Sequence, residues 1–301
     1  MQIVRESLSG VMAACLAMAI VPAARGSEGS DAGLSASAAS GRAYFRANDY
    51  ENAARSLQLE TSVAEKAGVA PPEESLQMLA ECYARLSDVT GQAWALERLV
   101  THYPKPKYWS DLISHTQRRK DFGERLSLDV LRLRRETGTL QGPGDYVELA
   151  GLAMRAGFPA EASAALEQGF ARGVLGVGSD AVHQRELRAD ALRQAAEQRS
   201  ALDRMDVAHA TGASGSGEAL VQLGYAYVTY GDYAKGLALM RTGLRKGGLE
   251  RPEDANMRLG IAYVQAGRKA EALQTLSAVT GMHGAADLGH LWYLYALGNA
   301  M

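Results

Sequence analysis

Cysteine is nearly absent from this chain of 301 residues: there are two, Cys15 and Cys82. That scarcity excludes a disulfide framework and a cysteine-rich metal site. Three Trp, four Phe and eight Pro are also few for the length. Long alternating β-branched runs are missing, which argues against sheet and for an all-α fold. A surplus of one charge is missing too. The formal net charge is −2 with 22% charged residues, a balance that argues against a nucleic-acid partner, which would favour a basic stripe. The six histidines (102, 115, 183, 209, 283 and 290) fall in no HExxH or CxxC context. His283 and His290 are separated by Gly284 and Gly289, which make a shared helical face unfavourable. Gly173, Gly176 and Gly178 imitate a phosphate loop, but they follow a helical pattern and lack the Lys-Ser/Thr that such a loop needs. Glu73-Glu74 reads as solvated capping in the first turn of a helix. With no nucleophile and base in register, the chain reads as non-catalytic, without cofactor or metal.

What the sequence does contain is a recurrence of small residues. In 217–252, Leu223, Gly224, Tyr227 and Gly231 mark an apolar-faced helix and its turn. Gly236 and Met240 then fall on the facing side of a second helix. Leu259, Gly260, Tyr263, Gly267, Ala272 and Leu276 repeat the scheme, with Gly260 placed 36 residues after Gly224. A small side chain at such a slot lets two helices lie close, while Leu and Tyr fill the space around it. Working backwards, the slot falls at Arg188, Ala150, Ile113, Ala80 and Gly41, at spacings of 33 to 39 residues. Tyr44, Ala53 and Leu57 accompany Gly41. Leu79, Tyr83 and Pro104 accompany Ala80, and Ala162 and Leu166 follow Ala150. The Ile113 unit keeps Trp109 and Leu112 but no small residue, and the Arg188 unit keeps Leu187, Ala191 and little else. Together these positions resemble the tetratricopeptide repeat, a helix–turn–helix unit of about 34 residues. The resemblance implies a tetratricopeptide-like α-solenoid of about seven units. Asp287–Leu297, apolar on more than one face, is expected to cap the open end of the last pair.

One further regularity concerns binding. Five residues after each of the first five slots stands an arginine: Arg46, Arg85, Arg118, Arg155 and Arg193. The same position holds Thr229 and Gln265 in the last two units. In repeats of this kind the position lies late in the first helix, on the inner face of the superhelix, where Arg42, Gln77, Gln117 and Arg185 belong as well. Guanidinium forks grip carboxylates pairwise, so the ladder is a candidate groove for an acidic peptide or a C-terminal carboxylate. The competing account is that an arginine in a last turn complements the negative helix end, and arginine is abundant here.

Residues 1–26 read as a secretory signal. Arg5 supplies a thin basic start, Val11–Val21 an apolar run too short for a comfortable membrane span, and Pro22–Gly26 a small-residue cleavage region. An uncleaved anchor and a lipoprotein signal at Cys15 are the alternatives, and all three place the body outside the cytoplasm. Membrane contact is expected through this segment alone. Once the segment is removed only Cys82 remains, and it lies on a helical apolar stripe. Residues 27–36 form a Ser/Gly/Ala-rich leader, 37–210 the N-terminal and central repeats, 217–284 two well-formed repeats and 285–301 the cap. Residues 211–217 (TGASGSG) read as a linker.

The segment YPKPKYW (103–109), and KGGLERP (246–252) leading into LGIAY (259–263), resemble bacterial exported tetratricopeptide repeat proteins described as components of the TonB energy-transduction system. That resemblance implies a periplasmic accessory role beside the inner-membrane TonB–ExbB–ExbD proteins. The expected function is therefore a non-catalytic periplasmic scaffold for a peptide or protein. The alternative is a repeat-containing factor or enzyme subunit of cell-envelope or polysaccharide assembly. A dimer contact through the apolar C-terminal helix is a further expectation.

Overall fold

The structure is a computed structural model that describes residues 40–205 and 216–298. The signal segment, the leader, and residues 211–215 of the linker lie outside the described residues. All described regular structure is helical. In chain order it comprises α1 (residues 40–46), α2 (Tyr50–Lys66), α3 (Glu73–Arg85), α4 (Val89–His102), α5 (Pro106–Gln117), α6 (Ser127–Glu136), α7 (Pro143–Arg155), α8 (Pro159–Ala171), α9 (Ala181–Arg204), α10 (Gly217–Thr229), α11 (Tyr233–Lys246), α12 (Pro252–Gln265), α13 (Lys269–Ser277) and α14 (Ala285–Gly298). Successive helices pack antiparallel into a TPR-like α-solenoid.

Local chemistry explains the punctuation. Pro106, Pro143, Pro159 and Pro252 open α5, α7, α8 and α12, where a missing N–H costs nothing. Asp49 and Asp88 accept from the amides of Asn52 and Gly91 at 3.2 and 2.8 Å, capping α2 and α4. Asp180 stands at the start of α9 without a side-chain capping bond. The turn inside each well-formed unit shares one geometry. Seven residues after the slot, Asn48, Ser87, Gly157, Gly231 and Gly267 all take positive φ, between 58° and 81°. The helices that carry Gly41 and Gly224 therefore occupy equivalent places in their units.

The slots themselves are tight. A Cβ on Gly41 would lie 2.9 Å from Leu57. On Gly224 it would lie 2.6 Å from the Gly236 carbonyl oxygen and 2.8 Å from the Met240 amide. Gly217 and Gly243 repeat this backbone approach two turns away along the same helices, a pairing that the slot pattern does not single out. Ala53, Ala80, Ala150, Ala162 and Ala272 are buried, as are Tyr83, Tyr227 and Tyr263. Tyr44 departs from the expected packing role: it is 41% exposed. It belongs to the first unit, where no earlier helix among the described residues covers it, whereas Tyr227 donates back to Leu202 O on α9 at 2.9 Å.

The fifth unit also departs from the scheme. Its described part is one continuous helix of 24 residues, α9, rather than a pair. The position seven after Arg188 is Ala195, inside DALRQAAEQR, where no Gly, Asn or Pro turns the chain.

The array is not an open rod. Helices α10, α12 and α14, on one face of the C-terminal units, lie against the second helices of earlier units. Phe158, at the start of α8, meets Tyr225 of α10 at 4.9 Å between ring centroids. Asp129 of α6 bonds Arg258 of α12, and α14 packs on α4 and α5. Helix α14 thus caps the last pair with one apolar face and covers α4 and α5 with another, which buries Leu288, Leu291 and Trp292.

Candidate functional site

Two surfaces follow from this closure. On the first, the ladder arginines Arg46, Arg85, Arg118, Arg155 and Arg193 are all exposed. Acids punctuate the ladder. Glu81 accepts from Arg85 at 2.7 Å and Asp190 from Arg193 at 2.6 Å, each on the same helix. The fold brings Arg118 and Gln77 into one groove between α3, α4 and α5, beside Lys107, Glu81 and Asp111. Arg185 is exposed on α9. Arg42 and Gln117 are engaged elsewhere, Arg42 with Glu74 at 3.7 Å and Gln117 as acceptor for Arg134 at 2.9 Å. Glu73 does more than cap. It takes Lys105 at 2.6 Å and the Tyr108 hydroxyl, tying the YPKPKYW segment to α3. Those bonds, Lys105 first, hold its carboxyl below the usual value.

The second surface is the closed one. Arg132 on α6 is fully buried and forks onto Glu161 of α8 at 2.8 and 2.5 Å. Its remaining arm reaches Asp129 at 2.6 Å, and its guanidinium lies 4.4 Å from the Tyr225 ring centroid. Arg258 reaches the other Asp129 oxygen at 3.2 Å. Burial pushes the Asp129 carboxyl upward, but Arg258 and Arg132 outweigh it and hold the group below its ordinary value. Burial likewise disfavours the charged Arg132, and Glu161 and Asp129 more than compensate. Such a cluster is strongly specific in geometry even where its net contribution is small. Outside it, Arg125 forks onto Asp254 at 2.9 and 3.2 Å, Arg119 meets Asp287 at 2.8 Å, and His290 meets Glu97 at 3.4 Å. Every one of these pairs joins the last units to the middle of the array.

Beside the cluster is a half-open cavity of about 360 Å³, lined by residues of α6, α8, α12 and α14 and the α10–α11 turn. Thr229 and Gln265 line it. The two ladder positions that are not arginine thus line this cavity and are half-buried, whereas the five arginines are exposed.

Cys82 is buried and its thiol is pushed up to about 11, by burial first and then by Glu81, which leaves it unreactive. His115 is held below its usual value by burial and then by Arg118. His283 lies in a turn at φ 56°, apart from His290 on α14. Among the described residues no three His, Cys, Asp or Glu side chains form a metal-sized group, and no helix is long and apolar enough to cross a membrane.

The tetratricopeptide repeat family model matches residues 254–281. The matched stretch runs through most of α12, its turn at Gly267 and all of α13. No curated protein matches the chain. Tetratricopeptide repeats generally bind proteins or peptides and are typically non-catalytic scaffolds, and the helix pairs seen here are of that type.

The buried cluster was not visible in the sequence. SLDVLRLRRE shows Asp129 and Arg132 three apart inside an apolar helix, which hints at a buried pair. Nothing in spacing links them to Glu161 or Arg258, because those contacts depend on how far the superhelix turns.

Proposed function

We propose that this protein is an exported, non-catalytic scaffold that captures an acidic peptide or a C-terminal carboxylate on the inner face of its first five units. The observation that carries this reading is the division of the ladder. Arginine stands at the position where it is exposed, and Thr229 and Gln265 stand there where the position lines the cavity formed with α6, α8 and α14. Helix-end complementarity alone does not account for the ladder, since Arg193 stands in the middle of α9 while Thr229 and Gln265 stand at helix ends. Exposed pairs such as Arg85–Glu81 are screened by solvent and contribute little, so a ligand carboxylate can replace them at little cost. Export rests on the apolar run Val11–Val21, and a role beside TonB–ExbB–ExbD rests on the resemblance of two sequence passages. Polysaccharide or envelope assembly is the competing setting.

Fluorescence anisotropy with a labelled acidic peptide ending in a free carboxylate tests the groove. Arg85→Glu combined with Arg155→Glu is expected to weaken binding at least tenfold, about 1.4 kcal/mol, with unchanged helical circular dichroism. Equal binding by the double variant would end the reading. Photocrosslinking from position 118 in cells tests the setting: capture of an inner-membrane energy-transduction protein supports the first, and capture of an assembly enzyme the second.

A further inference from the structure

We propose that the cavity enclosed by the closure of the array binds a free, zwitterionic amino acid. The site is distinct from the arginine face and does not depend on it. Its volume of about 360 Å³ falls in the range of small-molecule sites, about 300–1,000 Å³. Its walls come from both halves of the molecule: Arg135 and Glu136 from the end of α6, Thr229 and Tyr233 around the α10–α11 turn, Gln265 from α12 and Tyr295 from α14.

Two charges of opposite sign stand side by side at this wall and are poorly mated. Arg135 meets Glu136 at 3.3 Å across a single residue step, and the Tyr295 hydroxyl reaches Glu136 only at 3.4 Å. Both side chains are largely screened from solvent, at 16% and 29% exposure. One turn earlier Arg132 makes forked bonds of 2.5 to 2.8 Å. The same helix can therefore build a saturated pair, and at the cavity wall it does not. A carboxylate on Arg135 and an ammonium on Glu136 would satisfy both groups at once, with charge-assisted bonds stronger than the long contacts they replace. Tyr233, Tyr295, Val228 and Val264 offer ring and aliphatic surface for the side chain of the ligand, and Gln265 offers an amide to its polar edge. Burial of an isolated charge is costly, so a ligand carrying both charges fits this wall and one carrying a single charge does not.

Isothermal titration of the full-length protein against each of the free L-amino acids tests this, with N-acetyl and carboxamide derivatives of any binder as controls. At least one free amino acid is expected to bind below about 1 mM, that is, more favourably than about −4.1 kcal/mol. Both blocked derivatives should bind at least tenfold more weakly. Glu136→Gln should cost at least tenfold as well, and Arg135→Gln serves as the second variant if the first does not fold. Arg85→Glu should leave binding unchanged. Absence of binding by every free amino acid, or equal binding of the blocked derivatives, would overturn the proposal. Failure of peptide capture by the arginine face would leave it standing.

Discussion

Arg132 concentrates the chemistry that holds the two halves of this molecule together. Removing it alone strands Asp129 and Glu161 in the interior, so Arg132→Met is expected to cost about 3–5 kcal/mol in urea unfolding. Replacing Arg132, Asp129 and Glu161 together by apolar residues of similar size should cost far less, because the one charge that loses its partner, Arg258, still reaches solvent. The depressed Asp129 carboxyl adds stability that is present above its unfolded value of about 3.9 and lost as pH falls through the lower folded value. Glycines divide in the same way by what they touch. Gly224→Ala drives a Cβ into the backbone of Gly236 and Met240 and should cost about 1–3 kcal/mol. For Gly260→Ala the nearest atoms are those of the Leu276 side chain rather than backbone, and a side chain yields more readily than backbone, so its cost should be smaller. Chemical denaturation of the two variants side by side checks that order.

At the scale of helices, much was legible and the exceptions have local causes. Small residues at Gly41, Ala80, Ala150, Gly224 and Gly260 placed the pairs α1–α2, α3–α4, α7–α8, α10–α11 and α12–α13, since each is a contact within one unit, whereas α5–α6, with Ile113 at the slot, was marked only by Trp109 and Leu112. The same code explains Ser87, a serine at φ 58° in a place where Gly157, Gly231 and Gly267 serve other units. Ser87→Gly should stabilise the protein by up to about 1 kcal/mol, because the strain of a left-handed residue exceeds the entropy that glycine adds. Helix α9 escaped the pattern because its fifth-unit turn has no residue able to break a helix. Tyr44 escaped it because packing depends on a neighbouring unit as well as on the residue. The junction of α14 with α4 carries a pH signature. Its bond to Glu97 raises the His290 imidazole above its ordinary value of about 6.5. That stabilisation is full below about 6.5 and fades as pH rises past the raised folded value. His115 faces the same junction with its imidazole lowered by burial, so it acts in the opposite sense. Comparing His290→Gln with the parent isolates one of them: the stability difference should be larger at pH 6 than at pH 8.

Closure belongs to the whole molecule, and it was the part least legible in sequence. The apolar second face of α14 was visible in DLGHLWYLYAL, but whether a second copy or the chain itself would cover it was not. That depends on the summed rotation of six helix pairs, a quantity no single unit encodes. The proposed ladder divides along the same closure: its arginines are exposed, whereas Thr229 and Gln265 line the cavity between the two halves. The closure is tested most directly by replacing Glu97 and His290 with cysteine, in a chain carrying Cys15→Ser, and adding a short bismaleimide. Cys82 is buried and stays out of the reaction. The account predicts rapid crosslinking within one chain, seen as a monomer of altered mobility. A chain that does not crosslink, or that crosslinks only to a second copy, would contradict it.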